Sequence, residues 1–237
     1  MNNLFNQEGI LIEEALKEPL EAYYYSTGIG IHTIDQNGKT IVQYGEPSSF
    51  CKFFQDYMGK SCPCTSSHLN ASKRAMEFGE AYIFNCPAGL IHFTVPLLYK
   101  RQFKGALLAG PFLMEYPGEI LVDEIMKKFD IYIHIKGKVL TYLKFLPVVE
   151  PSKVRHFGRI LFSVASEFMQ EYKHILYENR RKMHQQARIN ESIQFYKENH
   201  HISSYYPYEK EKDLLLKVKT GNVTGAKEIL NELLGYV

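Results

Sequence analysis

The sequence predicts an α+β protein: an antiparallel sheet with flanking helices, then a long helix and a short helical connector. Three observations carry this. Residues 29–44 (IGIHTIDQNGKTIVQY) place alternating residues on either side of Asn37-Gly38, a strong short-range hairpin signal. Three apolar, β-rich runs fill 81–112. From Ser152 to Asn199 no proline occurs, and Leu161, Val164, Phe168, Ile175, Met183 and Ile193 recur at helical spacing among many charges.

Taken in order, Ile10 to Tyr25 reads as a helix, with Leu11, Ala15, Leu16, Leu20 and Tyr23/Tyr24 on its period and a proline inside; it should end near Ser26-Thr27-Gly28. In the hairpin, Ile29, Ile31 and Thr33 alternate with Gly30, His32 and Ile34, and Thr40 to Tyr44 is the return strand. Residues 48–60 form a short helix after Pro47 with serine as its cap, and 65–78 a second one closed by Gly79. The loop between them carries Cys62-Pro63-Cys64. Strands are expected at Ala81–Asn85, Leu90–Tyr99 and Gly105–Phe112, the last two joined by the five residues Lys100 to Lys104. Pro117 to Phe129 returns to a helical period, Asp130 to Phe145 fits strand or helix, and Pro147 and Pro151 bracket a break.

The long segment from Ser152 reads as one helix to Asn199. Its apolar spacing is close to the roughly 3.5 residues of a coiled coil, so Leu161, Val164, Phe168, Ile175 and Met183 are candidates for a homodimer seam, interrupted by Glu, Asn and Arg. The tail, EKDLLLKVKTGNVTGAKEILNELLGYV, reads as an αα-hairpin turning at Thr220-Gly221-Asn222. The expected organisation is a domain over 1–150, a dimerisation and signalling helix over 151–200, and a helical connector over 201–237.

Composition removes several classes. Of 237 residues 45% are hydrophobic and the charges (28 Lys+Arg, 26 Asp+Glu) nearly cancel, too apolar and too balanced for a disordered chain. No run approaches the roughly 18 consecutive apolar residues of a membrane span, and the N-terminus lacks the basic-then-apolar pattern of a signal peptide. The chain reads as cytoplasmic, without a membrane partner, and a net charge of +2 announces no nucleic-acid surface.

Reduced thiols follow from that compartment, which makes the four cysteines ligands, buried apolar groups or reactive groups rather than disulfides. Cys51, Cys62, Cys64 and Cys86 are the whole complement. Together they are able to close a thiolate site for zinc or an iron–sulfur cluster, as a metal or redox sensor would; the spacing is not that of a zinc ribbon, and buried cysteines at 51 and 86 with turn or packing roles at 62 and 64 are the plainer reading. His32 and His92 fall on expected strands, where either can face a pocket, while His68, His156, His174, His184, His200 and His201 read as solvated. No nucleophile elbow, phosphate-cradling loop or His-Glu-x-x-His occurs, so no catalytic constellation is assembled and the chain reads as a non-enzyme. Tyrosine, at 17 residues, suits a pocket for a small polar ligand, although half-buried tyrosine is ordinary on helices and strands.

A set of motifs between about residues 10 and 115 goes further. In order they are the Gly-Ile hairpin with Asp35-x-x-Gly38, Phe50-Cys51, Cys62 and Cys64 before a Ser-rich helix start, Gly79, Cys86-Pro87-Ala88-Gly89-Leu90, Val95-Pro96-Leu97, and Gly105-x-x-x-x-Gly110. The segment resembles the PocR sensory-domain family. That resemblance implies a PAS-like domain, an antiparallel sheet with helices over one face around a small cavity, sensing small hydrocarbon derivatives in front of a bacterial regulator module. The pocket residues it leads us to expect are Tyr24, Tyr82, Cys86 and His92, offering hydroxyl or imidazole contacts to a diol, polyol or sugar. The tail, with Tyr206-Pro207, Glu211 to Val218 and Gly221-Asn222 to Ala226, resembles the stretch ahead of the DNA-binding domain in clostridial-type AraC-family regulators. DNA would then be reached only through a domain outside this chain, and repacking of Leu161, Val164 and Phe168 would carry the signal.

Overall fold

The computed structural model describes residues 4–169, 173–199 and 208–234; Tyr206 and Pro207 of the tail motif lie outside them. Contacts divide the chain into two compact units, Met1–Met183 and His184–Val237. The first unit opens with α1 (Glu13–Thr27), which stops where Gly28 takes a left-handed φ of 71° and returns its N–H to the Tyr24 carbonyl.

The hairpin β1 (Ile31–Asp35) and β2 (Thr40–Tyr44) turns on Asp35, whose Oδ1 accepts from the N–H groups of Asn37 and Lys39 at 2.8 Å each. Next come α2 (Ser49–Met58), capped by the Ser48 hydroxyl, and α3 (Cys64–Phe78), closed by Gly79. β3 (Tyr82–Asn85), β4 (Ile91–Tyr99) and β5 (Gln102–Phe112) complete a five-stranded antiparallel sheet in the order β2-β1-β5-β4-β3. The β4–β5 connection is shorter than expected. Lys100 and Arg101 alone make the turn, both at positive φ, so Gln102 and Phe103 pair with Tyr99 and Leu98 instead of looping out.

α4 (Glu119–Lys128) follows, and the segment 130–145, ambiguous from sequence, becomes one 3₁₀ turn and α5 (Lys136–Lys144). The long helical stretch is described as two helices, α6 (Pro151–Phe168) and α7 (Lys173–Asn199), with 170–172 outside the described residues. Met169 already has a non-helical φ/ψ of −109°/31°. Leu161, Ala165 and Met169 recur every fourth residue to cover the sheet, and all three are buried in their own chain's core. Of the seam candidates, Leu161 is therefore fully covered, Val164, Phe168 and Ile175 are half-buried, and Met183 is exposed.

Helices cover both faces of the sheet rather than one. Ile31, Phe93, Val95, Leu107 and Ala109 meet α1 and α6. Alternate neighbours Ile34, Ala106 and Leu108 join the core that contains residues of α2, α3, α4 and α5. The result is an α+β fold consistent with a PAS-like domain. In the second unit, α8 (Tyr208–Lys219) and α9 (Val223–Leu234) form a hairpin through Gly221, with Asn222 Oδ1 accepting from Gly225 N at 3.0 Å. Among the described residues no helix is long and apolar enough to cross a membrane.

Candidate functional site

One hydrogen bond fixes the geometry of the site. Ser72 on α3 and Thr94 on β4, both fully buried, have their hydroxyls 2.7 Å apart. The Ser72 hydroxyl donates to the His68 carbonyl at 2.8 Å, so it is the Thr94 hydroxyl that donates to Ser72. One turn back along α3 from Ser72 stands His68, and two residues back along β4 from Thr94 stands His92 on the same face. Their ring centres lie 5.2 Å apart. Thr94 and His32 both sit opposite Leu108, on either side of β5, and the His32 ring is 6.0 Å from that of His68. Three elements distant in sequence thus bring three imidazoles together.

These rings line a cavity of about 540 Å³, within the usual range for small-molecule sites. Its wall also takes Tyr24, Gly30, Tyr44, Cys51, Cys64 and Gly110, with Phe145, Leu146 and Pro147 on another side. The charged and amide residues of the wall, Gln43, Glu46, Lys52 and Gln55, are exposed, which places them at the rim. Gly110 makes room for the His92 ring: at its φ of 140° a Cβ would stand 2.7 Å from His92 Cδ2 and 2.9 Å from the Ile91 carbonyl. Behind the same ring, Nδ1 lies 3.3 Å from the Leu90 carbonyl. A carbonyl only accepts, so this bond holds the proton on Nδ1 and leaves Nε2 as an acceptor.

Burial keeps all three imidazoles neutral. The His32 pKa is pushed down to about 3 by burial and then by the nearby His68, and burial alone takes His68 to about 4. His92 is held well below its ordinary value by burial and by both other rings. The cavity thiols respond to burial in the opposite sense: Cys51 is pushed up to about 12, with Cys86 nearby adding to the effect, and Cys64 is raised by burial and by its hydrogen bond with Cys62.

The expected pocket residues divide. Tyr24 and His92 line the cavity, whereas Tyr82 stacks between Phe78 and Phe84 and faces a groove outside α3 and β3. Cys86 is buried in a tight turn, its N–H bonded to the Leu90 carbonyl. His68, read from sequence as solvated, is a central wall residue; its helix packs through Ala71, Ser72 and Ala75, a face too small and polar to stand out as an apolar stripe. All four cysteines pack in or against one core, and all are free thiols. Among the described residues no three His, Cys, Asp or Glu are arranged to hold a metal ion.

A family model described as the sensory domain found in PocR matches residues 10–172, covering the sheet, both helical layers and every residue of the cavity. The chain belongs to the PocR sensory-domain family. It is also similar to the regulatory protein PocR of Salmonella typhimurium (strain LT2), at 23% identity over 100 residues, which is 42% of this chain and 33% of that protein. The similarity thus spans about a third of that relative. Membership makes the first unit a ligand-sensing regulatory domain.

Proposed function

We propose that the cavity binds a small, uncharged, hydroxyl-bearing metabolite, a diol, polyol, sugar or related hydrocarbon derivative, and that the chain is the effector-sensing part of a bacterial AraC-type transcriptional regulator. The carrying observation is the set of three neutral imidazoles on the cavity wall. A neutral imidazole has one donor and one acceptor, the same pair that a hydroxyl offers. Without positive charge on these rings the deep wall gives no special hold on an anion, and the exposed Glu46 and Lys52 leave ionic contacts at the rim. In this reading the protein works in the cytoplasm as a homodimer, with α7 supplying Met183, Ile189 and Ile193 to the pairing face, all of them exposed in the single chain. It reaches DNA through a separate module and carries out no catalysis.

A thermal-shift screen of small diols, polyols and sugars tests the ligand class. A binder present at 100 times its Kd stabilises the fold by about 2.7 kcal/mol, and His92→Phe should abolish that gain. No stabilisation by any compound at saturating levels contradicts the proposal. A zinc or cluster site on Cys51, Cys62, Cys64 and Cys86 is the competing reading; the four share one core but are not arranged as a metal-holding group. Metal analysis of protein purified without an affinity metal decides it: stoichiometric metal establishes that site, and four titratable thiols without metal remove it.

A further inference from the structure

The two ends of α3 have different neighbours. Its first half, with Cys64, Thr65 and His68, forms part of the cavity wall. Its far end receives the start of α7. Gly79, at φ 72°, lets the α7 backbone lie directly against it: a Cβ there would overlap the Leu176 carbonyl and stand 2.7 Å from Arg180 N. Asn179 Nδ2 donates to the Met76 carbonyl at 2.9 Å, filling one of the acceptors that a helix C-terminus leaves without an intrahelical partner. Arg180 pairs with Glu80 at 3.5 Å, and Leu176 is fully buried.

The buried residues of α3 are the small ones, Ala71, Ser72 and Ala75, with the His68 ring set against Phe84 and His92 toward one end and Phe78 against Tyr82 at the other; Ser72–Thr94 is its one side-chain hydrogen bond to a strand among the described residues. A close-packed seat of this kind has low compressibility and transmits strain, so a push at one end of the helix is passed along it. A helix is stiff along its axis, and the 11 residues from His68 to Gly79 span roughly 16 Å.

We infer that α3 is the coupling element of this domain: a ligand pressing on His68 repositions α3 and so changes the seat of Leu176, Asn179 and Arg180 on its C-terminal end. The inference rests on the sensing role given to the cavity and adds the route by which the signal leaves it. It differs from transmission through α6. That helix covers the opposite face of the sheet and is tied there by Leu98 N–H donating to Met169 Sδ at 3.2 Å. Coupling of this kind is reciprocal, so loosening α7 must also be felt at His68.

The test uses the full chain and no ligand, so its outcome is independent of the diol and polyol screen. Hydrogen exchange of residues 173–183 and the NMR pH titration of His68 are measured in the wild type, Gly79→Ala and His68→Phe. Arg180→Ala, on a half-buried residue, stands in if the glycine substitution does not fold. The expected result for Gly79→Ala is about tenfold faster exchange in 173–183 together with a displaced His68 titration. His68→Phe should change exchange in 173–183 by about threefold or more while 151–168 keeps its wild-type protection. Exchange in 173–183 that ignores both substitutions, or a loosened α7 with an unmoved His68 titration, overturns the inference.

Discussion

The two faces of the sheet are built from the same strands and serve opposite ends. On β4, Phe93, Val95 and Leu97 turn to α1 and α6, while His92 and Thr94 turn to α3. On β1, Ile31 turns one way and His32 the other. The first face is a mainly apolar core, with Thr33 and Ser166 as its buried hydroxyls, into which Gly158 of α6 fits 3.4 Å from the Phe93 ring by its notional Cβ. On the second, an apolar core is interrupted by a polar hydrogen bond, three imidazoles and a cavity. Strand periodicity lets one sheet give one face to packing and carry the cavity on the other.

Phe93→Ala should have the largest effect, a loss of about 3–5 kcal/mol measured by chemical denaturation, because the ring is fully buried and stacked on Phe112 at 4.8 Å. A comparable loss from truncating a cavity residue such as His92 would break the division of labour. Next comes Ser72→Ala, expected to cost about 1–3 kcal/mol by leaving the Thr94 hydroxyl buried and unpaired. Adding Thr94→Val removes the orphan and should restore part of that stability.

Acid sharpens the comparison without mutation. Unfolded histidine titrates near 6.5, whereas His32 and His68 titrate at about 3 and about 4 in the fold, so below roughly pH 6.5 the unfolded chain binds more protons. The contribution of these rings to stability is therefore flat above that pH and falls as pH drops through 6 toward 3. His68→Gln should flatten the pH dependence of the denaturation midpoint, while a substitution on the α6 face leaves its slope unchanged. The smallest effect on stability belongs to Gly30→Ala, within about 0.5 kcal/mol, since the nearest atoms to an added Cβ are 3.8 Å away. As that methyl enters the cavity wall, ligand affinity should nevertheless fall, by about tenfold in a thermal-shift titration.

Local chemistry made much of this legible from sequence. Asn37-Gly38 places the first hairpin, Gly28 and Gly79 end their helices, and the apolar runs after residue 81 become the three remaining strands. From sequence His32 and His92 are strand residues able to face a pocket, but which face holds it depends on strand order, and β5 enters between β1 and β4 from about 70 residues beyond β1 in the chain. His68 was hidden because its helix packs with small residues and carries no strong apolar stripe. The division of the long segment into α6 and α7 was hidden for the opposite reason: an apolar repeat looks alike whether it covers a sheet or a second copy of the helix.

In the proposed sensor His32, His68 and His92 form the ligand contact, and histidine-selective NMR of the protein probes that contact ring by ring. Titrated with the diol, polyol and sugar panel, a binding compound should shift the ring resonances of these three and leave those of His156 and His174 in place. A compound that binds with all three of those resonances unmoved would contradict it.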